Sequence, residues 1–404
     1  MKNVFSKLFS QYWNPYYAIG IAGVLSALYF GLTNTVWAVT GEFTRLGGHI
    51  LMLFGVDISN WEYFKLVTMN GSSFERTDGW IVWGMFIGAF ITILLSNNFK
   101  IRIPKQKRRL FQGLIGGVIA GFGARLALGC NLAAFFTGVP QFSFHSWIFM
   151  IATAIGTYIG FKIVSMKWWK GKPVLKKGNS AAAIVKDRKI IQPKIGMIIA
   201  IFYVILIISF FMSGKSLLGI SAIFGAAFGI LIERGQICFT SAFRDLWVSG
   251  RATMTKAIAA GIAISTVFTF IVIMVYGFEP ITKIAAPSTF IGGLLFGLGI
   301  VLAGGCETGM MYRVMEGQVL YLFVFAGNII GATFLAYGWD HLGIFNALVK
   351  SGSKVNLLAA IGPIPALVAT LAMLGLWFAV AVYWEKHYRF GTGFKKGANK
   401  QHGY

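Results

Sequence analysis

The sequence predicts an all-α protein: a polytopic membrane bundle of two inverted repeats with short re-entrant or broken helices. Three observations carry that prediction. Of 404 residues, 56% are hydrophobic and only 12% charged, and the mean hydropathy of +0.71 leaves too little charge to cover a water-exposed surface. Apolar runs of spanning length recur along the whole chain. A glycine-rich segment appears twice, Gly116 to Cys130 and Gly292 to Cys306, 176 residues apart and identical at eight of fifteen positions.

Taken in order, the spanning runs are 16–32, 80–97, 110–128, 143–164, 195–212, 216–232, 254–276, 288–304, 318–339 and 357–384. Between them, 35–54, 130–140, 236–248 and 306–316 are too short or too glycine-rich to span. They read as broken or re-entrant pieces, which a membrane tolerates only where protein or a cavity surrounds them. Residues 165–194 hold nine basic groups and one acid, Asp187, and divide the chain. The expected organisation is a first repeat over 1–164, a basic cytoplasmic linker over 165–194, an extra helix with the second repeat and a last helix over 195–384, and a tail over 385–404. Lys2 and Lys7 precede a first apolar run with no small-x-small cleavage site, which reads as a retained helix.

Charge orients the repeats. Residues 98–109 carry six basic groups and no acid, whereas the equivalent 274–285 carry only Glu279 and Lys283. Residues 55–79 hold four acids and two bases, while 233–256 hold two acids and four bases. By the positive-inside rule, equivalent loops therefore face opposite sides, and both termini are expected in the cytoplasm. A plan of this kind puts a substrate site where the repeats meet. The net charge of +23 gathers in these loops, so the partners expected are anionic lipid headgroups and not nucleic acid.

The chain has three cysteines, Cys130, Cys238 and Cys306, without CxxC or metal spacing, so no disulfide framework, metal or cofactor is expected. A buried cysteine is by default a small hydrophobe. These three, however, all fall in interrupted segments, two of them at the same Gly-Cys position of the repeat. Soft thiols suit a substrate that exposes sulfur or selenium and is passed on without tight capture. Glu307 follows Cys306 in GGCETG and can take a proton or hydrogen bond from the thiol. The substrate-pathway candidates are Cys130, Cys238, Cys306, Glu307, Arg125, Asn131 and Thr308. Glu42, Glu233, Arg234, Arg244, Asp245, Arg313 and Glu316 are further ionisable groups in or beside spans, with Glu233–Arg234 and Arg244–Asp245 alternatively marking an interface. Ser213-Gly-Lys-Ser lacks the first glycine of a phosphate loop and reads as a turn. The five histidines form no ligand cluster and read as interfacial.

The segments WAVTGEFTR, GFGARLALGCNLAAFFTG, RGQICFTSAFRD and GGCETG, spanning Trp37 to Glu316, resemble the YeeE/YedE family of sulfur-transport membrane proteins. VPQFS after Gly138 and YRVMEGQ after GGCETGMM are most similar to its YedE branch of selenium metabolism membrane proteins. The resemblance implies an hourglass-like protein with helical hairpins entering from both faces and, in thiosulfate-transporting relatives, a file of cysteines. Cys130 and Cys306 fit that file. Cys238 departs from it, because the relatives' third cysteine lies in the first repeat, where this chain has Ala38 and Thr40.

The reading is a non-enzymatic inner-membrane transporter or facilitator of a small sulfur- or selenium-containing anion: thiosulfate, a selenium compound or another sulfur oxyanion. The alternative is a thiol relay in which Cys238 or Cys306 accepts persulfide sulfur or selenium from a cytosolic carrier protein. A thiolate metal carrier is disfavoured, since no cysteine pair or methionine cluster offers a soft-metal site.

Overall fold

A computed structural model describes residues 11–170 and 191–388. Most of the 165–194 linker and of the 385–404 tail, with Lys2 and Lys7, lies outside these residues. Among them, ten helices are long and apolar enough to cross a membrane, and the fold is the all-α polytopic bundle expected. The helices are α1 (Pro15–Thr33), α2 (Thr40–Leu53), α3 (Glu62–Leu66), α4 (Thr77–Leu95), α5 (Arg108–Leu126), α6 (Phe144–Ser165), α7 (Ile191–Met212), α8 (Ser216–Arg234), α9 (Phe239–Ser249), α10 (Thr253–Tyr276), α11 (Pro287–Ala303), α12 (Glu307–Met315), α13 (Val319–His341), α14 (Leu357–Ile361) and α15 (Pro363–His387). Two-residue strands β1 (Ile284–Ala285) and β2 (Ser353–Lys354) pair antiparallel.

Local chemistry sets these boundaries. Asn14 caps α1 by accepting the Tyr16 N–H at 3.0 Å, with Pro15 in the first turn. Ser213-Gly-Lys is the turn expected between α7 and α8, with Gly214 at φ 72°. One boundary differs from expectation. The last apolar run does not begin a single helix at 357; Gly362 at φ 89° stops α14, and Pro363 opens α15. Hydropathy runs straight through that point because every residue there is apolar or small, so only backbone chemistry marks the break.

Glycines set how the helices pack. Gly116 of α5 lies against Ala303 of α11, Ala120 against Gly299, and Gly123 against Gly292 and Phe296. Numbering rises on one helix as it falls on the other, so α5 and α11 run antiparallel at backbone contact. Around this pair, α13 packs parallel to α5 through Gly113, Gly117 and Gly121, and α6 packs parallel to α11 through Gly156 and Gly160. Outside these, α4 pairs with α8 and α1 with α10, while α7 covers α4 and α15 covers α10. Such small-residue seams are how helices associate when lipid removes the hydrophobic drive between them. α7 and α15 keep broad apolar faces outward, with Ile198, Phe202 and Val368 exposed.

Several contacts place loops at one end of the bundle. Trp13 N–H donates to Arg234 O at 2.8 Å, and Lys100 N–H to Glu316 O at 3.1 Å. Lys256 Nζ pairs with Glu385 at 2.6 Å, and Ile19 beside Gly261 brings the starts of α1 and α10 together. The first and last described stretches thus share an end with the 98–109 loop. The opposite end gathers 55–76, 277–286 and 339–354.

A Cβ at Gly121 would collide with the Asn328 carbonyl, whereas one at Gly375 meets nothing within 4 Å. Gly121→Leu is therefore expected to cost at least the ~1–3 kcal/mol of an overpacked core and to cut folded protein several-fold, while Gly375→Ala leaves it unchanged. Fluorescence size-exclusion of solubilised membranes reads both.

Candidate functional site

Each cysteine stands at the same kind of backbone break. Two residues before it the chain enters the left-handed region, at Leu128 (φ 58°), Gln236 (φ 49°) and Gly304 (φ 84°). The cysteine itself is extended and opens a new helical turn, its carbonyl accepting from the amide four residues on: Ala134 at 2.7 Å, Ala242 at 3.3 Å and Met310 at 2.7 Å. Cys130 opens the π-helical turn Asn131–Phe136, Cys238 opens α9 and Cys306 opens α12. Leucine and glutamine pay a steric cost of roughly 1–2 kcal/mol in that conformation, a cost glycine avoids at 304. The first turn of each new helix leaves amides that no carbonyl of that helix takes.

All three thiols are buried in one apolar cluster. Cys238 and Cys306 sit side by side, Sγ to Sγ 4.0 Å, so the tightest thiol pair is not the symmetric Cys130–Cys306 couple that the repeat alone suggests. Aromatic rings pack in the same cluster, with Phe136 edge-on to Phe239 at 5.9 Å and Trp37 stacked on Phe228 at 3.7 Å.

Glu307 and Arg125 lie inside the protein, 2% and 5% exposed. Asn328 Nδ2 donates to Glu307 Oε1 at 3.0 Å, while Oε2 has no partner within the protein. The Arg125 guanidinium donates to Thr40 Oγ1, and its Nε is unpartnered. Asn131 is buried with both amide atoms unpartnered, as are Tyr312 Oη and Thr240 Oγ1. Thr308 is buried in the first turn of α12. The unpartnered atoms at Arg125, Asn131, Glu307, Thr240 and Tyr312 all belong to the broken segments or the helices that lead into them.

At one end, Arg125 borders a cavity of about 920 Å³ lined also by Tyr63, Lys65, Lys283, Trp339 and Lys354. Lys283 reaches inward from the 277–286 loop and donates to Ala133 O at 3.2 Å. A Cβ at Gly129 would lie 2.6 Å from its Nζ, so the ammonium sits beside the Cys130 break. The loop is pinned by Gln141 and Ser143, which accept the Ile281 and Lys283 amides at 2.8 and 3.3 Å. At the other end, Arg313 donates to Gly304 O at 3.1 Å and Tyr321 Oη at 2.7 Å, next to the Cys238–Cys306 pair.

Among the other ionisable groups, Glu42 accepts from Ser73 and pairs with Arg45 at 3.1 Å and Arg76 at 2.7 Å. Glu233 and Arg234 pair with each other, both 0% exposed. They are interior residues and not markers of a wet interface, whereas Arg244 and Asp245 pair half-buried at 2.8 Å. Histidine 145 corrects the interfacial reading: it is fully buried, and its Nε2 donates to Ala127 O at 2.7 Å, satisfying a carbonyl that the break after α5 leaves free. Lys283 and Asn328 were not singled out from the sequence. Their signals were a lone base in a loop whose one other charge is Glu279, and a lone amide in an apolar span.

Comparison with known proteins adds the decisive observation: the profile of the sulphur-transport family matches residues 2–159 and 234–401, one stretch in each half. The chain belongs to the sulphur-transport family. Within that family it is 47% identical over 388 residues to the "Probable transporter YedE" of Escherichia coli, covering 94% of each chain. It is 48% identical over 380 residues to the protein of the same name from Salmonella typhimurium, again covering 94% of each. A more distant member, the "Thiosulfate transporter TsuA" of Spirochaeta thermophila, is 32% identical over 174 residues, 38% of this chain and 51% of that one. Family membership and the ten apolar helices together make this a multi-pass membrane transporter of sulfur compounds.

Asn328 is the hydrogen-bond partner of a buried carboxyl. Asn328→Leu is expected to destabilise by about 1–3 kcal/mol, the cost of orphaning a buried polar group, seen as a lower thermal midpoint in detergent. Adding Glu307→Leu to it should recover part of the loss. A double variant worse than the sum of the two would remove Asn328 as the partner.

Proposed function

We propose that the chain carries a small sulfur- or selenium-containing anion across the bacterial cytoplasmic membrane and hands it along buried thiols. The proposed route begins in the cavity at Arg125 and Lys283, passes Cys130 with Asn131 and Glu307, and leaves by Cys306 and Cys238 beside Thr308. The observation that carries the reading is the repeated break: three buried thiols, each opening a helical turn, with unpartnered polar atoms on the same broken segments and the helices that lead into them. Four basic residues at the mouth, Arg125, Lys65, Lys283 and Lys354, outnumber the acids Glu62 and Asp340 that line it with them and attract an anion. Thiols and amides further in offer weak, repeated donors that let it leave again.

The antiparallel α5 and α11, and the two separate stretches matched by the family profile, support an inverted repeat with its site where the halves meet. The basic 98–109 loop, sharing an end with both described chain ends, supports a cytoplasmic position for that end. The TsuA relative supports thiosulfate as a substrate class, and the YedE resemblance supports a selenium compound.

One observation favours a second reading, the thiol relay: Cys238 and Cys306 lie as close as partners in sulfur transfer would. Uptake of labelled thiosulfate, selenite and selenosulfate into sealed proteoliposomes holding no donor protein separates the two. The transport reading expects uptake above empty vesicles for at least one anion; none for any of them would overturn it.

Cys130→Ala and Cys306→Ala are expected to abolish that uptake, at least about tenfold down or ~1.4 kcal/mol in barrier, with normal membrane accumulation. Serine keeps size and a hydroxyl donor but lacks the soft sulfur. Serine variants that transport like the parent would make the thiols packing residues.

Burial, with the Arg125 guanidinium nearby, pushes the Lys283 ammonium down to about 7. Below that pH the lysine is charged, and above it neutral, so the apparent affinity for thiosulfate, which stays doubly charged throughout, is expected to weaken from pH 6 to pH 8. Lys283→Arg keeps its charge across the range, and its uptake should lose that dependence. An unchanged profile would remove Lys283 from the anion's path.

A further inference from the structure

Among the described residues, Cys238 and Cys306 are the one pair of thiols within 4.0 Å of each other, and nothing in the transport reading requires them to touch. They open different helices, α9 and α12, yet both are 1% exposed and face each other at 4.0 Å. The approach is built by a third residue. A Cβ at Gly309 would lie 2.7 Å from Cys238 Sγ, so only a glycine one turn into α12 lets the α9 sulfur come in beside Cys306. Arg313 supplies a cation at the same place, its Nη1 3.1 Å from where a Cβ on Gly305 would sit.

We propose that this pair is a modification site, an intramolecular disulfide formed reversibly with a peroxide as oxidant, and that the bond closes the path. The bond needs the sulfurs to move from 4.0 Å to about 2.05 Å. One thiolate attacks the peroxide O–O bond, giving a sulfenic acid and hydroxide, which takes up the thiol's proton as water. The second thiol then attacks the sulfenic sulfur, the S–S bond forms and a second water leaves. Overall, two thiols and one hydrogen peroxide give one disulfide and two waters; the thiol pair is oxidised by two electrons and the peroxide reduced. Hydrogen peroxide is small and neutral, and the Arg313 charge stabilises the negative charge that the first step handles. Among the described residues Cys130 has no second thiol within 4.0 Å, so it forms no disulfide. The disulfide consumes two of the three S–H groups and ties the first turn of α9 to that of α12. Bond formation stands apart from the transport reading, and only its effect on flux rests on it.

The test uses the full chain in nanodiscs, treated with hydrogen peroxide, denatured, and counted for free thiols by maleimide-polyethylene glycol gel shift. Thiols are expected to fall from three to one and return to three with dithiothreitol, with the protein monomeric on non-reducing gels and lighter by two hydrogen atoms in intact mass. Cys130→Ser should fall from two to none. Gly309→Ala, which pushes the Cys238 sulfur away, should form the bond at least about tenfold more slowly, ~1.4 kcal/mol in barrier. If that variant fails to fold, the Cys130→Ser count decides. Three thiols persisting, loss with oxygen added to the mass, or loss through dimers would overturn the site. In proteoliposomes, oxidation should stop thiosulfate uptake and dithiothreitol should restore it. A formed bond with uptake unchanged overturns the closure. Absence of uptake before oxidation is a failure of the transport reading alone, and the thiol count still decides the site.

Discussion

The backbone contact between α5 and α11 is the constraint on which the rest of the structure depends. Gly116, Gly123, Gly292 and Gly299 let two antiparallel helices meet without side chains between them, and each helix then ends at a Gly-Cys break. Because the helices run in opposite directions, their breaks lie toward opposite ends of the bundle. Cys130 is thereby set near the cavity of Arg125 and Lys283, and Cys306 near Arg313 and the basic end. A parallel pair would put both thiols at one end and leave the other without a soft donor. Antiparallel packing sets two copies of one motif toward opposite ends of the bundle.

Holding broken helices inside such a bundle requires every freed backbone group to find a partner. His145 takes the Ala127 carbonyl, Arg313 and Tyr321 take Gly304 O, and Lys283 takes Ala133 O. In hydrocarbon each orphan would cost several kcal/mol. The ionisable side chains near the breaks therefore do structural work as well as setting charge. The same logic explains why Glu42 and Glu233 sit buried with arginines against them: removing one partner of a buried pair costs about 3–5 kcal/mol.

Hydropathy and glycine spacing made the architecture legible. The ten spans fall where the apolar runs end, since length and composition are all the bilayer selects for. The thiols were legible because the repeat printed the Gly-Cys break twice. What stayed hidden depends on contacts between distant segments. Cys238 has no counterpart in the first repeat, and its meeting with Cys306 is made by Gly309, whose spacing from either cysteine carries no signal of its own. Lys283 looked like an isolated loop base because its reach to Ala133 O is set by Gln141 and Ser143, 140 residues away. The Gly362–Pro363 break was missed for a different reason: hydropathy averages over a stop that is purely a matter of φ and a missing N–H.

The distribution of charge along the proposed route decides what kind of passage it can support. A full cation about 4 Å from a doubly charged anion attracts it by roughly 8 kcal/mol at an effective dielectric near 20, enough to hold the anion for long times if repeated at every position. Here the permanent cations stand toward the two ends, Arg125 at one and Arg313 with the basic loops at the other. Between them stand thiols, the Asn131 amide and the Glu307 carboxyl. Glu307 in its ionised form would repel an anion, and in its neutral form would offer Oε2–H as one more donor, while Asn328 holds Oε1 in either state. On the proposed route, charge would recruit the anion at the mouths and weak donors would pass it on in between. That division lets a route bind an oxyanion and still release it.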